Sequence, residues 1–213
     1  MTDARIGGLY AITDPGLLPG PQLLDAVRAA LVGGASTVQY RNKTADAATR
    51  LREATSLTIL CRDAGALFLV NDDVALALAC GAHGVHLGQQ DGAVESARTR
   101  LGGDAVIGQT CHASLALALA AQAAGADYVA FGRFFPSRTK PLAPPAGITL
   151  LPEARAVLHI PIVAIGGVTV DNAPQLIAAG ADAVAVIHDL FSAGDVAARA
   201  HDFAALFTRG QPA

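Results

Sequence analysis

A Gly-Ala step closes a stretch of helical spacing and opens a short valine-containing run at Gly34-Ala35, Gly81-Ala82, Gly125-Ala126 and Gly180-Ala181. Glycine ends a helix well because it enters left-handed backbone without a Cβ penalty, and a short alanine turn then returns the chain to a sheet. Between these steps, apolar β-favouring runs alternate with helical patterns along the chain. Strands are expected at about 8–13, 36–41, 68–72, from 84, at 105–110, 127–132, 161–165 and 183–187. Helices are expected near 21–32, 46–62, 73–80, 92–101, 114–124, 150–158, 172–179 and 196–207.

A helical crossover makes successive strands parallel, and about eight such units is the number that closes into a barrel. The Gly-Ala steps precede the second, fourth, sixth and eighth strands, as a barrel filled in layers from alternate strands would favour. An open doubly wound sheet would carry a G-x-G-x-x-G turn after its first strand, and Thr13-Asp14-Pro15-Gly16-Leu17 does not fit one. The fold expected is α/β, a single (β/α)8 TIM barrel over residues 1–213, with about 209–213 a loose tail.

Such barrels place their site at the C-terminal ends of the strands. Asn71-Asp72 and Gly88-Gln89-Gln90-Asp91 stand there on neighbouring parallel strands, which brings two carboxylates to one edge. Carboxylates this close repel unless a cation or proton lies between them, and Mg²⁺ commonly takes one or two of them and completes its shell with substrate phosphate. The plainer alternative is that each Asp caps the helix after it. Among 15 basic residues the only lysines are Lys43 and Lys140, both after barrel strands and beside Arg41 and Arg138. Arg41, Lys43 and Lys140 facing Asp72 and Asp91 read as a polyphosphate–Mg²⁺ site. Across the mouth, Gly166-Gly167 would let backbone N–H groups approach a second phosphate.

Partner classes narrow on composition. Apolar residues are 52% and charged ones 15%, enough for a large core, and the net charge of -3 argues against a nucleic-acid or membrane surface. Met1 to Arg5 lacks an apolar signal core, and no uncharged apolar stretch approaches the roughly 18 residues of a membrane span. Cys61, Cys80 and Cys111 are widely spaced without a metal-ligand pattern, so reduced thiols in a cytoplasmic protein are expected.

Six motifs, each after its own strand, make the chain resemble the thiamine phosphate synthase family over essentially its whole length. They are Leu9-Tyr10-Ala11-Ile12-Thr13-Asp14, the Q-x-R-x-K of Gln39, Arg41 and Lys43, Asn71-Asp72, His86-Leu87-Gly88-Gln89-Gln90-Asp91, Pro136-Ser137-Arg138-Thr139-Lys140, and Ala164-Ile165-Gly166-Gly167. The resemblance implies an enzyme, a transferase that joins hydroxymethylpyrimidine diphosphate to a thiazole phosphate with release of diphosphate. It implies Mg²⁺ on Asp72 and Asp91. The pyrimidine diphosphate would meet Gln39, Tyr40, Arg41, Asn42, Lys43, Asn71, Thr110 and Lys140, with Arg41, Lys43, Lys140 and Thr110 acting on the departing anion. The thiazole phosphate would meet Ser137, Arg138, Thr139, Gly167, Ile187 and His188. Expected partners are these two small molecules, with self-association left open.

Two positions depart from the family pattern. Ser137 stands where Thr is usual and keeps the hydroxyl; His188 stands where Ser is usual, which leaves the thiazole-phosphate contact open. His86, inside a strand, is expected as a hydrogen-bonded packing group, and His112 at a strand end could be that or a catalyst. His83, His159 and His201 carry no signal. Residues 133–147, with four prolines, are expected to form a functional loop, mobile when empty and ordered over substrate. The rival readings are a thiazole tautomerase-like barrel, which would not need the diphosphate set, and a non-catalytic phosphate-binding barrel.

Overall fold

A computed structural model describes residues 6–136 and 145–208. Eight strands run parallel in chain order: β1 (Gly8–Ile12), β2 (Ala35–Tyr40), β3 (Leu67–Asn71), β4 (Gly84–Leu87), β5 (Val106–His112), β6 (Tyr128–Phe131), β7 (Ile162–Ile165) and β8 (Ala183–Val186). The barrel closes where β1 pairs with β8, from Gly8 against Ala183 to Ala11 against Val186. Around it lie α1 (Gln22–Val32), α2 (Ala47–Asp63), α3 (Val74–Cys80), α4 (Val94–Leu101), α5 (Leu115–Ala123), α6 (Leu150–Arg155), α7 (Ala173–Ala178), α8 (His188–Phe191) and α9 (Val196–Thr208). Every expected strand and helix is present. The short α8 was not expected, because four residues are too few to show a helical period.

Strand periodicity divides the core in two. Inward residues Tyr10, Ile12, Leu69, Tyr128, Val163 and Ala185 fill the barrel, while Val38, Phe68, Val85, Ile107, Val129 and Val184 face outward onto helix residues such as Leu57, Leu151, Leu176 and Phe203. No described helix is long and apolar enough to cross a membrane.

The Gly-Ala steps do more than turn the chain. Gly34, Gly81, Gly125 and Gly180 all have positive φ (102°, 67°, 88° and 111°). The next residue along clamps the start of the preceding strand. Asp127 accepts from Ile107 N–H at 2.7 Å and from Arg98 at 2.6 Å, and Asp182 accepts from Ile162 N–H at 2.7 Å and from Arg155. In the β3–β4 quarter the clamp is His83, whose Nδ1 accepts from Phe68 N–H at 2.9 Å. Ser36 takes the place in the first quarter and donates to the carbonyls of Gly7 and Leu9. His83 therefore has a structural role that its sequence context did not reveal.

Candidate active site

The C-terminal ends of the strands open on a cavity of about 630 Å³. From β2 the chain sends Gln39, Arg41 and Lys43 into it, one side of a period-two run. The side chains of the intervening residues turn toward α2. The Tyr40 hydroxyl donates to Glu53 at 2.6 Å. Asn42 donates to the same carboxylate at 3.2 Å and accepts from Thr44 and Ala45 N–H to form the turn into α2. Neither lines the cavity, although Asn42 borders a shallower cleft beside it.

Asn71 and Asp72 end β3, and Asp91 follows β4. Asp72 holds φ at 65°, a left-handed conformation that Asp tolerates better than most residues. Lys43 Nζ lies 2.7 Å from Asp72 Oδ2. Burial works against the charge on Asp72, but the hydrogen bonds from Lys43 and from Asp91 outweigh it and hold this carboxyl below its ordinary value. Burial and then the neighbouring Asp72 push Asp91 the other way, above the ordinary carboxylate value. The capping alternative fails for both. Asp73 caps α3, accepting from Leu76 N–H at 2.9 Å and pairing with Arg50 at 3.1 Å, while α4 starts from Ala93 without a side-chain cap. Two carboxylates crowded together, with no helix-capping role, suit a divalent cation. Among the described residues no three His, Cys, Asp or Glu side chains form a metal cage, so a cation here would draw further ligands from phosphate or water.

Arg41 lies at the same mouth, 3.8 Å from Asp14, its backbone fixed by a bond from its N–H to Thr13 Oγ1 at 2.9 Å. Opposite, Gly166 and Gly167 line the cavity at φ 103° and 64°. A Cβ at either would lie 2.3 Å from the segment after β6, against Arg133 or the carbonyl of Pro136, so that segment closes onto the glycines. Ile187 caps α8 and His188 is its first residue, with Nδ1 3.1 Å from Ser192 Oγ. Both line the cavity, as does Thr110. Ser137, Arg138, Thr139 and Lys140 lie outside the described residues, as does most of the expected loop.

The cavity floor adds a contact that the sequence does not show, and it places His86, hydrogen-bonded as expected, at the site. Tyr10 lines the floor and meets the hydroxyl of Tyr128 at 2.8 Å across the barrel. His86 bonds to Tyr128 and to Thr110, so it is a hydrogen-bonded group at the site itself. His112, at φ 51° where β5 is irregular, also faces the cavity.

Comparison with known proteins fits this arrangement. The profile described as thiamine monophosphate synthase matches residues 9–190. The chain belongs to the thiamine monophosphate synthase family. Similar members of that family are the thiamine-phosphate synthases of Alcanivorax borkumensis, 55% identical over 98% of both chains, and of Thioalkalivibrio sulfidiphilus, 54% identical over 97% of this chain and 98% of that one. Among solved structures, thiamine phosphate pyrophosphorylase from Pyrococcus furiosus superposes with a TM-score of 0.87 at 36% identity, covering 95% of this chain and 96% of that one. A fold likeness at 16% identity and TM-score 0.71 extends to a geranylgeranylglyceryl phosphate synthase from Thermoplasma acidophilum.

Proposed function

We propose that this barrel is a thiamine phosphate synthase, joining 4-amino-2-methyl-5-hydroxymethylpyrimidine diphosphate to a thiazole phosphate and releasing diphosphate. Supporting this reading is the cluster of Lys43, Asp72, Asp91 and Arg41 in one cavity, in a chain whose close relatives carry that name. The C–O bond to the diphosphate breaks, leaving a cation stabilised by the electron-rich pyrimidine, and the thiazole nitrogen attacks it to form the new C–N bond. Such a step asks little of acid–base groups and much of charges aimed at a departing anion.

Asp72 and Asp91 would hold Mg²⁺, which supplies charge neutralisation on the leaving diphosphate. Arg41 and Lys43 would bind the same anion, joined by Lys140. Gln39, Asn71 and Thr110 would orient the pyrimidine diphosphate. Gly167 and the start of α8 at Ile187 and His188 would receive the thiazole phosphate, with Ser137, Arg138 and Thr139 completing that side. Cytoplasmic location is part of this reading: Cys61, Cys80 and Cys111 are all buried and unpaired with one another, and burial pushes the Cys61 and Cys111 thiols up to about 12.

Incubation of the purified protein with both phosphates and Mg²⁺ tests the proposal. Thiamine phosphate and diphosphate are expected in equal amounts. Isomerised thiazole phosphate alone, or both compounds recovered unchanged, would point to the tautomerase-like or the purely binding barrel.

A further inference from the structure

One continuous chain of hydrogen bonds crosses the barrel under the cavity. Gln39 Nε2 on β2 donates to the Tyr10 hydroxyl on β1 at 2.7 Å, and that hydroxyl lies 2.8 Å from the Tyr128 hydroxyl on β6. Tyr128 lies 2.8 Å from Nδ1 of His86 on β4, whose Nε2 lies 2.8 Å from Thr110 Oγ1 on β5. The sequence makes room for this. Gly108 pairs with Tyr128 across β5 and β6, and a Cβ there would fall 2.0 Å from the phenol ring. Both phenols stay protonated, since burial pushes each well above its ordinary pKa. The two ends, Gln39 and Thr110, line the cavity.

With the His86 imidazole neutral, it and each phenol have one proton to give, so a chain in which every proton is partnered runs in one of two directions. A mixed pattern would leave one buried hydroxyl accepting from both neighbours with its own proton unpartnered, which is disfavoured. With Gln39 donating to Tyr10, the protons run Tyr10 to Tyr128 to His86 Nδ1, and His86 Nε2–H donates to Thr110. The Thr110 hydroxyl is then left to donate into the cavity, and Gln39 turns its carbonyl oxygen there. In the reverse direction Thr110 donates inward, offering the cavity only lone pairs, and Gln39 presents its NH₂.

An anion accepts hydrogen bonds and gives none. We infer that Tyr10, Tyr128 and His86 act as a polarity lock, in which a diphosphate accepting from Thr110 fixes Gln39 to accept from the exocyclic amine of the pyrimidine. The three are positioning residues that set amine-over-oxo specificity without touching the reacting atoms. The inference rests on the synthase reading, with the pyrimidine diphosphate held between Gln39 and Thr110.

The test compares kcat/KM for the 4-amino pyrimidine diphosphate and its 4-oxo counterpart in wild type, Tyr128→Phe and Tyr10→Phe. Loss of Tyr128 frees the Tyr10 proton to turn onto the Gln39 oxygen and swing the amide. The amino-to-oxo ratio should then fall by about three- to tenfold, the worth of one neutral hydrogen bond, with gain on the oxo compound as well as loss on the amino one. Tyr10→Phe frees the amide directly and should lower the ratio too, which keeps the test decisive if Tyr128→Phe fails to fold. An unchanged ratio in the folded variants, whatever their absolute rates, would overturn the lock while leaving the synthase reading intact. Wild type making no product from the amino compound would remove the synthase reading and the lock with it.

Discussion

Lys43 Nζ lies 2.7 Å from Asp72 Oδ2, and Asp91 stands close enough to the same Asp72 that each carboxyl shifts the other's pKa. One cation and two carboxylates therefore form a chain along the ends of β2, β3 and β4. One positive charge faces two negative ones, and all three side chains line the cavity where a diphosphate would enter.

Removing the lysine should separate stability from function. Its side chain is 57% exposed, so the ion pair contributes at most about 1 kcal/mol to folding. Lys43→Met should shift the thermal midpoint by only a few degrees while slowing thiamine phosphate formation by about 10²-fold or more, the usual loss for one oriented donor at a developing anion. Paired melting curves and initial rates check this, and a large midpoint shift with little change in rate would reverse the assignment.

Asp91 should be a site where stability is given up for metal binding. Its folded pKa is raised, by burial and then by Asp72, so protonation stabilises the fold below the ordinary carboxylate value and that gain is lost as pH rises through the raised value. Asp72 is shifted the opposite way, and its contribution is lost as pH falls. In chelator at neutral pH, Asp91→Asn should therefore melt above wild type, with the difference closing as pH drops into the carboxylate range, and it should be inactive with Mg²⁺ restored. The Asn can still accept from Gly88 N–H, as Asp91 does at 3.0 Å. A variant that melts lower at every pH would show that Asp91 is held as a structural anion.

His83 stands where the other clamps use Asp127 and Asp182, and among the described residues its neighbour Arg62 reaches only the Gly81 carbonyl, at 3.5 Å. Burial and then the Arg62 charge lower the His83 pKa. Its share of stability is thus full above the ordinary histidine value and is lost as pH falls through the lowered one. His83→Asp should give Arg62 a partner, worth about 0.2–1 kcal/mol, and should flatten the fall in thermal midpoint between pH 7 and 5. Equal slopes in both proteins would show that the acid sensitivity comes from elsewhere.

His188 begins α8 and meets Ser192, the residue capping the end of that helix, through Nδ1 at 3.1 Å. That geometry favours the backbone N–H as the phosphate contact. His188→Ser, which introduces the residue the family resemblance leads one to expect, should leave the KM for thiazole phosphate within about threefold, since only a lost charge-assisted bond would change it tenfold or more. A tenfold rise in KM would assign the contact to the imidazole.

Barrel and mouth were legible in the sequence for a local reason. Period-two runs ending in Gln39, Asn71 or Thr110, and glycines such as Gly81 and Gly125, report their own backbone. Within the Gln39 to Lys43 run the strand period sends alternate side chains to the cavity, and Tyr40 and Asn42 turn to Glu53 instead. Tyr10 and Tyr128 meet across 118 residues, and no local pattern signals a contact made only when the barrel closes. His83 was passed over for the same reason: its equivalence to Asp127 and Asp182 lies in the strand each one clamps, Phe68, Ile107 or Ile162.

The most direct test of the account is a single-turnover experiment with enzyme in excess of labelled pyrimidine diphosphate, in the presence of thiazole phosphate and Mg²⁺. Wild type should release diphosphate and form thiamine phosphate one to one with the same rate constant, and Asp72→Asn, with an intact fold, should slow both by about 10²-fold or more. Thiamine phosphate formed at the wild-type rate by Asp72→Asn, or no thiamine phosphate from the wild type, would contradict it.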